Sequence, residues 1–300
     1  MPARCPKHLR DEVAKLSWKM DRWQIAKKLG KSPGTIGNWF TDLRKEGYSV
    51  GFPPAVPLIT DDVIELTGNA VVIGDVEVPD FSPAVFVKAM EVASLLGITC
   101  LVLNGDIFAL DQLATWLPDR PAKRTFAEDL ASGDQVIDEC FTTFDELVIN
   151  TGNHDCRLAW KTGGQTRLAQ FYRKRAPKLR VSDHWYCKLH SGGRDWIIGH
   201  QSVSGSTQNP LLEAARWGAK YQANIIVNHP HYLWSGWDIS DTYQVISAGC
   251  ARDEDRTGYK AYRLDGKPRW NQGFAYIYDG WGYTQHVRQP LPSLPRHRGK

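Results

Sequence analysis

Residues 147–155 read Leu-Val-Ile-Asn-Thr-Gly-Asn-His-Asp: an apolar run that stops abruptly at Gly152, Asn153, His154 and Asp155. A short aliphatic run ended by glycine reads as a strand buried on both faces. Four more runs end the same way. Ala70–Ile73 stops at Gly74-Asp75, and Ile98–Leu103 at Asn104-Gly105-Asp106. Trp196–Ile198 stops at Gly199-His200, and Ile225–Val227 at Asn228-His229-Pro230-His231. Between them, Ser82-Pro83 opens a helix that Gly97 closes, and a second helical stretch covers Gln135–Phe144. Such alternation predicts an α/β domain, with loops at the carboxyl ends of its strands gathered on one site. Hairpins near Ser191-Gly192-Gly193 and Asp279-Gly280 add antiparallel strands, giving a mixed, two-layered β core flanked by helices.

The residue types at these strand ends belong together chemically. Carboxylates, an amide oxygen and imidazoles suit borderline divalent ions better than thiolate chemistry does. A carboxylate can bridge two ions about 3.5–4 Å apart, and such a pair activates water for in-line displacement at phosphorus. No Ser-His-Asp elbow, Walker loop or dinucleotide fingerprint competes with this assignment.

The ordered set Asp75-Val76-Glu77, Gly105-Asp106, Gly152-Asn153-His154-Asp155, His200 and His229-Pro230-His231 resembles the signature of the calcineurin-type metallophosphoesterases, especially those encoded by bacteriophages and prophages. The likeness covers residues 68–288, including Ser247-Ala248-Gly249-Cys250 and the strand-like segment 270–277. It implies a four-layer α/β sandwich and two divalent ions, Mn²⁺ first, with Mg²⁺, Fe or Zn²⁺ as alternatives. Asp75 and His231 would hold the first ion, and Asp106 would bridge. Asn153, His200 and His229 would hold the second. His154 would act on the leaving oxygen or the phosphoryl group, and Asp155 would support its turn. Arg157 is either a phosphate grip or a surface salt bridge.

Three positions depart from that pattern. Glu77 stands where the family has a histidine; it either binds as a harder ligand favouring Mn²⁺ or Mg²⁺, or points away and leaves the first ion weak or absent. Ala109 occupies the place of an aspartate that orients the catalytic histidine, and Asp111 lies two residues further on. Asn228 replaces a glycine before His229, changing backbone freedom without removing a ligand.

Charge isolates a second region. Residues 1–50 hold eleven Lys and Arg against five Asp and Glu, a net of +6, whereas the whole chain carries +4; residues 51–300 therefore carry −2. Within this segment Asp21 caps a helix through Trp23, Ile25, Ala26 and Leu29, and Gly30 stops it. Ser32-Pro33 starts a second helix burying Ile36, Trp39, Phe40 and Leu43. The stretch 24–47 resembles a helix-turn-helix. The resemblance implies DNA as partner and puts Lys31, Ser32, Thr35 and Asn38 where base edges and phosphates are met. The other reading is a helical hairpin that binds protein or only packs.

The expected organisation is a helix-turn-helix at 1–50, a Pro-containing linker at 51–66, the phosphoesterase domain at 67–290 and a basic tail at 291–300. Six cysteines without a CxxC pair, and no apolar run long enough for a membrane span or signal peptide, point to the cytoplasm of a bacterium or a phage-infected host. Cys156 reads as a small buried hydrophobe, and Trp234, Trp237 and Trp281 as core residues or a base-stacking groove wall. The leading function is hydrolysis of a phosphodiester or phosphate ester by a two-metal-activated water, directed to DNA. A protein or nucleotide phosphatase, and a non-catalytic DNA-binding regulator with a degenerate phosphoesterase domain, are the alternatives. The oligomeric state is left open.

Overall fold

Ala70, Val71, Val72 and Ile73 are all wholly buried, so this run shows no polar alternation: both faces of its strand are covered. The computed structural model describes residues 4–17, 20, 22–50, 62–113, 124–172, 178–200, 210–256 and 270–293. The predicted cap Asp21, the linker prolines 53, 54 and 57 and the end of the basic tail lie outside these residues. The chain divides into two compact units, Met1–Ile59 and Thr60–Lys300.

In the larger unit, strands β1 (Glu65–Thr67) and β2 (Ala70–Ile73) precede helix α4 (Pro83–Leu96) and β3 (Cys100–Asn104). Helix α5 (Phe126–Cys140) leads to β4 (Glu146–Asn150), α6 (Cys156–Lys161), α7 (Leu168–Tyr172) and β5 (Leu179–Ser182). The hairpin β6 (Tyr186–Ser191) and β7 (Arg194–Gly199) is followed by α8 (Pro210–Tyr221) and β8 (Asn224–Val227). Last come β9 (Leu233–Trp237), β10 (Gln244–Ala248), β11 (Gly273–Tyr278) and β12 (Trp281–His286).

The described strands form two mixed six-stranded sheets, ordered β12-β11-β2-β3-β4-β5 and β1-β6-β7-β8-β10-β9. Alternation within the central strands sorts side chains between two interfaces. Ala70, Val72, Val102 and Val148 face the second sheet and meet Leu189, Trp196, Ile198, Ile226 and Ile246. Val71, Ile73, Leu101, Leu103, Leu147 and Ile149 join the cluster containing Val85, Ala89 and Val92 of α4 and Val136 and Ile137 of α5. Ala214 of α8 packs with Ile225, Val227 and Val245 on the second sheet. The result is the expected helix-sheet-sheet-helix sandwich.

Register sets the position of the strand ends. Ile73 pairs with Leu103 and Leu103 with Ile149, so the loops after β2, β3 and β4 leave one sheet at a common level. In the other sheet Gly199 pairs with Val227, aligning the loops after β7 and β8. The two predicted hairpins are present, their turns made by Gly192-Gly193 and Asp279-Gly280 with positive φ at both residues, as tight two-residue hairpins require. The helix expected over Gln135–Phe144 instead starts at Phe126 and ends at Cys140. Its start is set by a capping box: Thr125 Oγ1 accepts the Glu128 N–H, and Glu128 Oε2 accepts the Thr125 N–H.

The smaller unit holds helices α1 (Arg10–Ser17), α2 (Arg22–Leu29) and α3 (Pro33–Lys45) around Val13, Ile25, Ala26, Ile36, Trp39 and Leu43. Gly30, at φ +61°, ends α2, and Ser32 Oγ caps α3 by accepting the Thr35 N–H at 3.1 Å. Trp23 is 60% exposed rather than part of the buried stripe, and Phe40 is only half-buried. No helix among the described residues is long and apolar enough to cross a membrane.

Candidate metal centre

Asp75, Asp106, Asn153, His200 and His229 follow the ends of β2, β3, β4, β7 and β8, so two sheets deliver them to one place. Ligand atoms of Asp75, Asp106, His200 and His229 all lie within 4.8 Å of one another. Those of Asp75, Glu77 and His231 form a second such group sharing Asp75, and Glu77, Asp106 and His154 a third. His200 Nε2 is 3.2 Å from Asp106 Oδ2, and His231 Nε2 is 2.9 Å from Asp75 Oδ1. Backbone N–H groups steer the carboxylates: His229 donates to Asp75 Oδ2 at 2.8 Å and His154 to Asp106 Oδ1 at 2.7 Å.

The backbone is bent to make this possible. Asp75, Glu77, Asp106, His229 and His231 all adopt left-handed φ between +49° and +77°, a conformation costly outside glycine and concentrated here around one site. Two glycines permit the close approaches. A Cβ on Gly105 would lie 2.3 Å from the His200 side chain, and one on Gly152 would lie 2.2 Å from Asp106 Oδ1.

Beneath the cluster lies a layer that the sequence reading missed. Asn104 Nδ2 donates to the Gly199 carbonyl and to Asn228 Oδ1, and Asn150 Nδ2 donates to Asn104 Oδ1 and the Ile198 carbonyl. Three wholly buried asparagines thus tie together the ends of β3, β4, β7 and β8. Asn228 acts through its side chain, with Nδ2 donating to the Gly249 carbonyl, rather than through altered backbone freedom. Its repeated place after an apolar run, as at Asn104 and Asn150, was the available signal. Asp155 holds the turn as expected, accepting N–H groups of Gly152, Ile107 and Phe108.

Burial and the mutual charges of these side chains set the electrostatics of the cluster. Burial would raise the Asp106 carboxyl, but the charges of His200 and His154 outweigh it and hold it well below the carboxylate range. Asp75 is lowered in the same way against its burial, by His231 and His200. Burial would lower His200, yet Asp106 and Asp75 raise it to about 10. Its Nδ1 lies 2.9 Å from the Asn104 carbonyl, which leaves Nε2 for the carboxylates. His154 is pushed down to about 4, by burial first and despite Asp106, so its imidazole is neutral at pH 7. Asp155 rises to about 7, through burial and the nearby Asp106.

Glu77 does not point away: it is buried, its Oε2 contacts Arg252 Nη1 and lies 3.5 Å from His154 Nδ1. Arg157 is 5% exposed; its Nη1 donates to the Ala109 carbonyl and pairs at 3.2 Å with Asp111, whose side chain is exposed, so the salt bridge joins a buried guanidinium to a surface carboxylate. Asp111 is thereby engaged by Arg157. The Cys156 thiol accepts the Trp185 Nε1–H, and burial raises it to about 12, so it is no nucleophile. Trp234, Trp237 and Trp281 are exposed, the last two edge to face at 6.4 Å, and therefore are not core. In the smaller unit Lys31, Ser32 and Asn38 are exposed and Thr35 is half-buried.

The donor set fits divalent ions. It contains carboxylate, imidazole and amide oxygen and no thiolate, and the buried Asn153 Oδ1 accepts no hydrogen bond from the described residues. No family model matches the chain, and no curated protein does. Solved structures similar to it include Vacuolar Protein Sorting 29 from Cryptosporidium parvum (11% identity, TM-score 0.42, 73% of this chain and 95% of that one). Yfce, a phosphoesterase from E. coli, aligns at 11% identity and TM-score 0.41 over 73% of this chain and 93% of its own. Wild-type Vps29 complexed with Zn²⁺ from Entamoeba histolytica aligns at 13% identity and TM-score 0.37 over 72% and 92%. These likenesses are confined to outline. Identities this low and TM-scores below 0.5 transfer no residue role or activity to this chain.

Proposed function

We propose that the larger unit is a metal-dependent phosphoesterase. The observation that carries this reading is the convergence of Asp75, Asp106, His200 and His229 from four strand ends of two sheets, with Asp75, Asp106 and His229 on left-handed backbone. Divalent ions held there, Mn²⁺ foremost given three carboxylates, would lower the pKa of water and offset charge on a phosphoryl group.

The remaining tasks fall to the chain's own side chains. Asp106, 3.2 Å from His200 Nε2, would hold an ion beside that imidazole, and Asp75, common to two of the groups, would serve both positions. Asn153 offers a neutral oxygen, adding no charge. His154 is neutral at pH 7 and partly exposed, suited to donate an N–H to a phosphoryl or leaving oxygen rather than to act as a standing cation. Asp155 and the asparagine layer hold the loops in register, a positioning task. The test is hydrolysis of bis-p-nitrophenyl phosphate and its monoester by metal-stripped protein resupplied with Mn²⁺, beside Asp106→Asn. Diester turnover lost in that variant supports a phosphodiesterase, monoester preference a phosphatase, and no turnover with any divalent ion contradicts the reading.

We further infer that the smaller unit is a helix-turn-helix that brings DNA to the chain. Its basic charge, the tight turn at Gly30 and the exposed Lys31, Ser32 and Asn38 beside the capped start of α3 support this. Binding to a DNA duplex should weaken steeply with salt and fall further in Lys31→Glu; salt-independent or absent binding contradicts it.

A further inference from the structure

We propose that Arg252 is a built-in cation of the metal centre. It occupies Glu77, so that the Asp75, Asp106, His200 and His229 cluster takes one divalent ion tightly, while the Asp75, Glu77 and His231 position takes a second only weakly. This inference rests on the metal-centre reading above and concerns how that centre loads.

Three carboxylates, Asp75, Glu77 and Asp106, are buried side by side. One of them has a permanent counter-charge: Glu77 is 1% exposed, Arg252 is 4% exposed, and their charged atoms touch. Arginine does not lose its proton in proteins, so this compensation persists at every working pH. The pair carries no net charge, and Glu77 attracts an incoming cation less than a free carboxylate would. Recruiting Glu77 fully would also take a carboxylate contact away from the buried guanidinium, which is unfavourable.

Arg252 is held in the wall of this second position. Its backbone bridges Phe81, and its carbonyl accepts from Gln272 Nε2 at 3.3 Å. Its guanidinium lies 6.0 Å from the Trp270 ring, whose centroid is 4.2 Å from that of His231. His231, Trp270, Arg252 and Glu77 therefore form one packed group around the weaker position. The four-residue cluster shares only Asp75 with it, and among the described residues none of its members forms an ion pair with an arginine.

The test is calorimetric titration of the metal-stripped full chain with Mn²⁺. Wild type should bind one ion tightly and a second at least about tenfold more weakly. Arg252→Gln should tighten the second event by about tenfold or more, closing the gap. Arg252→Lys, which keeps the charge, should retain the gap, and Glu77→Gln should abolish the second event while sparing the first. Two equally tight events in wild type would overturn the proposal even if Arg252→Gln failed to fold. An unchanged gap in a folded Arg252→Gln would overturn it alone, leaving the metal-centre reading intact. Failure of wild type to bind any Mn²⁺ would instead defeat that reading, and this inference with it.

Discussion

The two units bury different things. Among the described residues of Met1–Ile59, the wholly covered side chains are apolar apart from Ser17, whose hydroxyl is satisfied one turn back by the Ala14 carbonyl. The sandwich buries Asp75, Glu77, Asp106, Asp155, Asn104, Asn150, His200 and Asn228 at one edge. An apolar cluster needs nothing from outside the chain. Buried carboxylates and imidazoles at close range are unfavourable unless paired or neutralised by an ion. The smaller unit should accordingly be insensitive to divalent ions, and the larger one should depend on them.

The largest effect should come from Asp106→Asn, which removes a carboxylate that belongs to two of the three groups: Mn²⁺-dependent diester turnover should fall by more than about 100-fold. Retained turnover would break the contrast outright. Trp39→Ala should cost about 3–5 kcal/mol in the small unit, read by denaturant unfolding, with added Mn²⁺ restoring none of it. Gly152→Ala places a methyl group 2.4 Å from the Asp106 backbone nitrogen as well as against its carboxylate. It should destabilise the sandwich by about 1–3 kcal/mol and weaken Mn²⁺ binding in the same titration. Asn104→Ala removes the donor to the buried Asn228 Oδ1 and one of the acceptors of Asn150 Nδ2, and should cost about 1–3 kcal/mol without adding or removing a ligand.

The smallest effect is a pH dependence away from the centre. Burial would raise the Asp238 carboxyl, but bonds from the Ser240 hydroxyl and the Tyr243, Thr242 and Ser240 N–H groups bring it down to about 2. A depressed folded value means that stability is present above the unfolded carboxylate pKa of about 3.9 and is lost as pH falls toward 2. The difference in thermal midpoint between wild type and Asp238→Ala should therefore shrink across that window. A constant difference would assign Asp238 a purely steric role.

How far the sequence could be read depended on the range of the interactions. Strand ends, the Ser32-Pro33 and Ser82-Pro83 helix starts and the two hairpin turns rest on neighbouring residues, and their pattern was legible. The start of α5 was equally local, at Thr125 and Glu128, yet apolar periodicity alone drew attention to the later half of the helix. Partners far apart in the chain were not legible. Glu77 read as a lost histidine because Arg252 arrives from another loop, and Asn228 read as a lost glycine because Asn104 lies on another sheet. Trp23 shows the converse limit, since helical spacing placed it on a face that α2 leaves exposed.

The most direct measurement is anomalous scattering at the manganese edge from crystals of the full chain soaked in Mn²⁺. The account predicts a strong peak within coordination distance, about 2.0–2.3 Å, of Asp106 and His200, with a weaker one beside Glu77 and His231. A map without density near Asp106, at Mn²⁺ concentrations that saturate the titration, would contradict the metal centre itself.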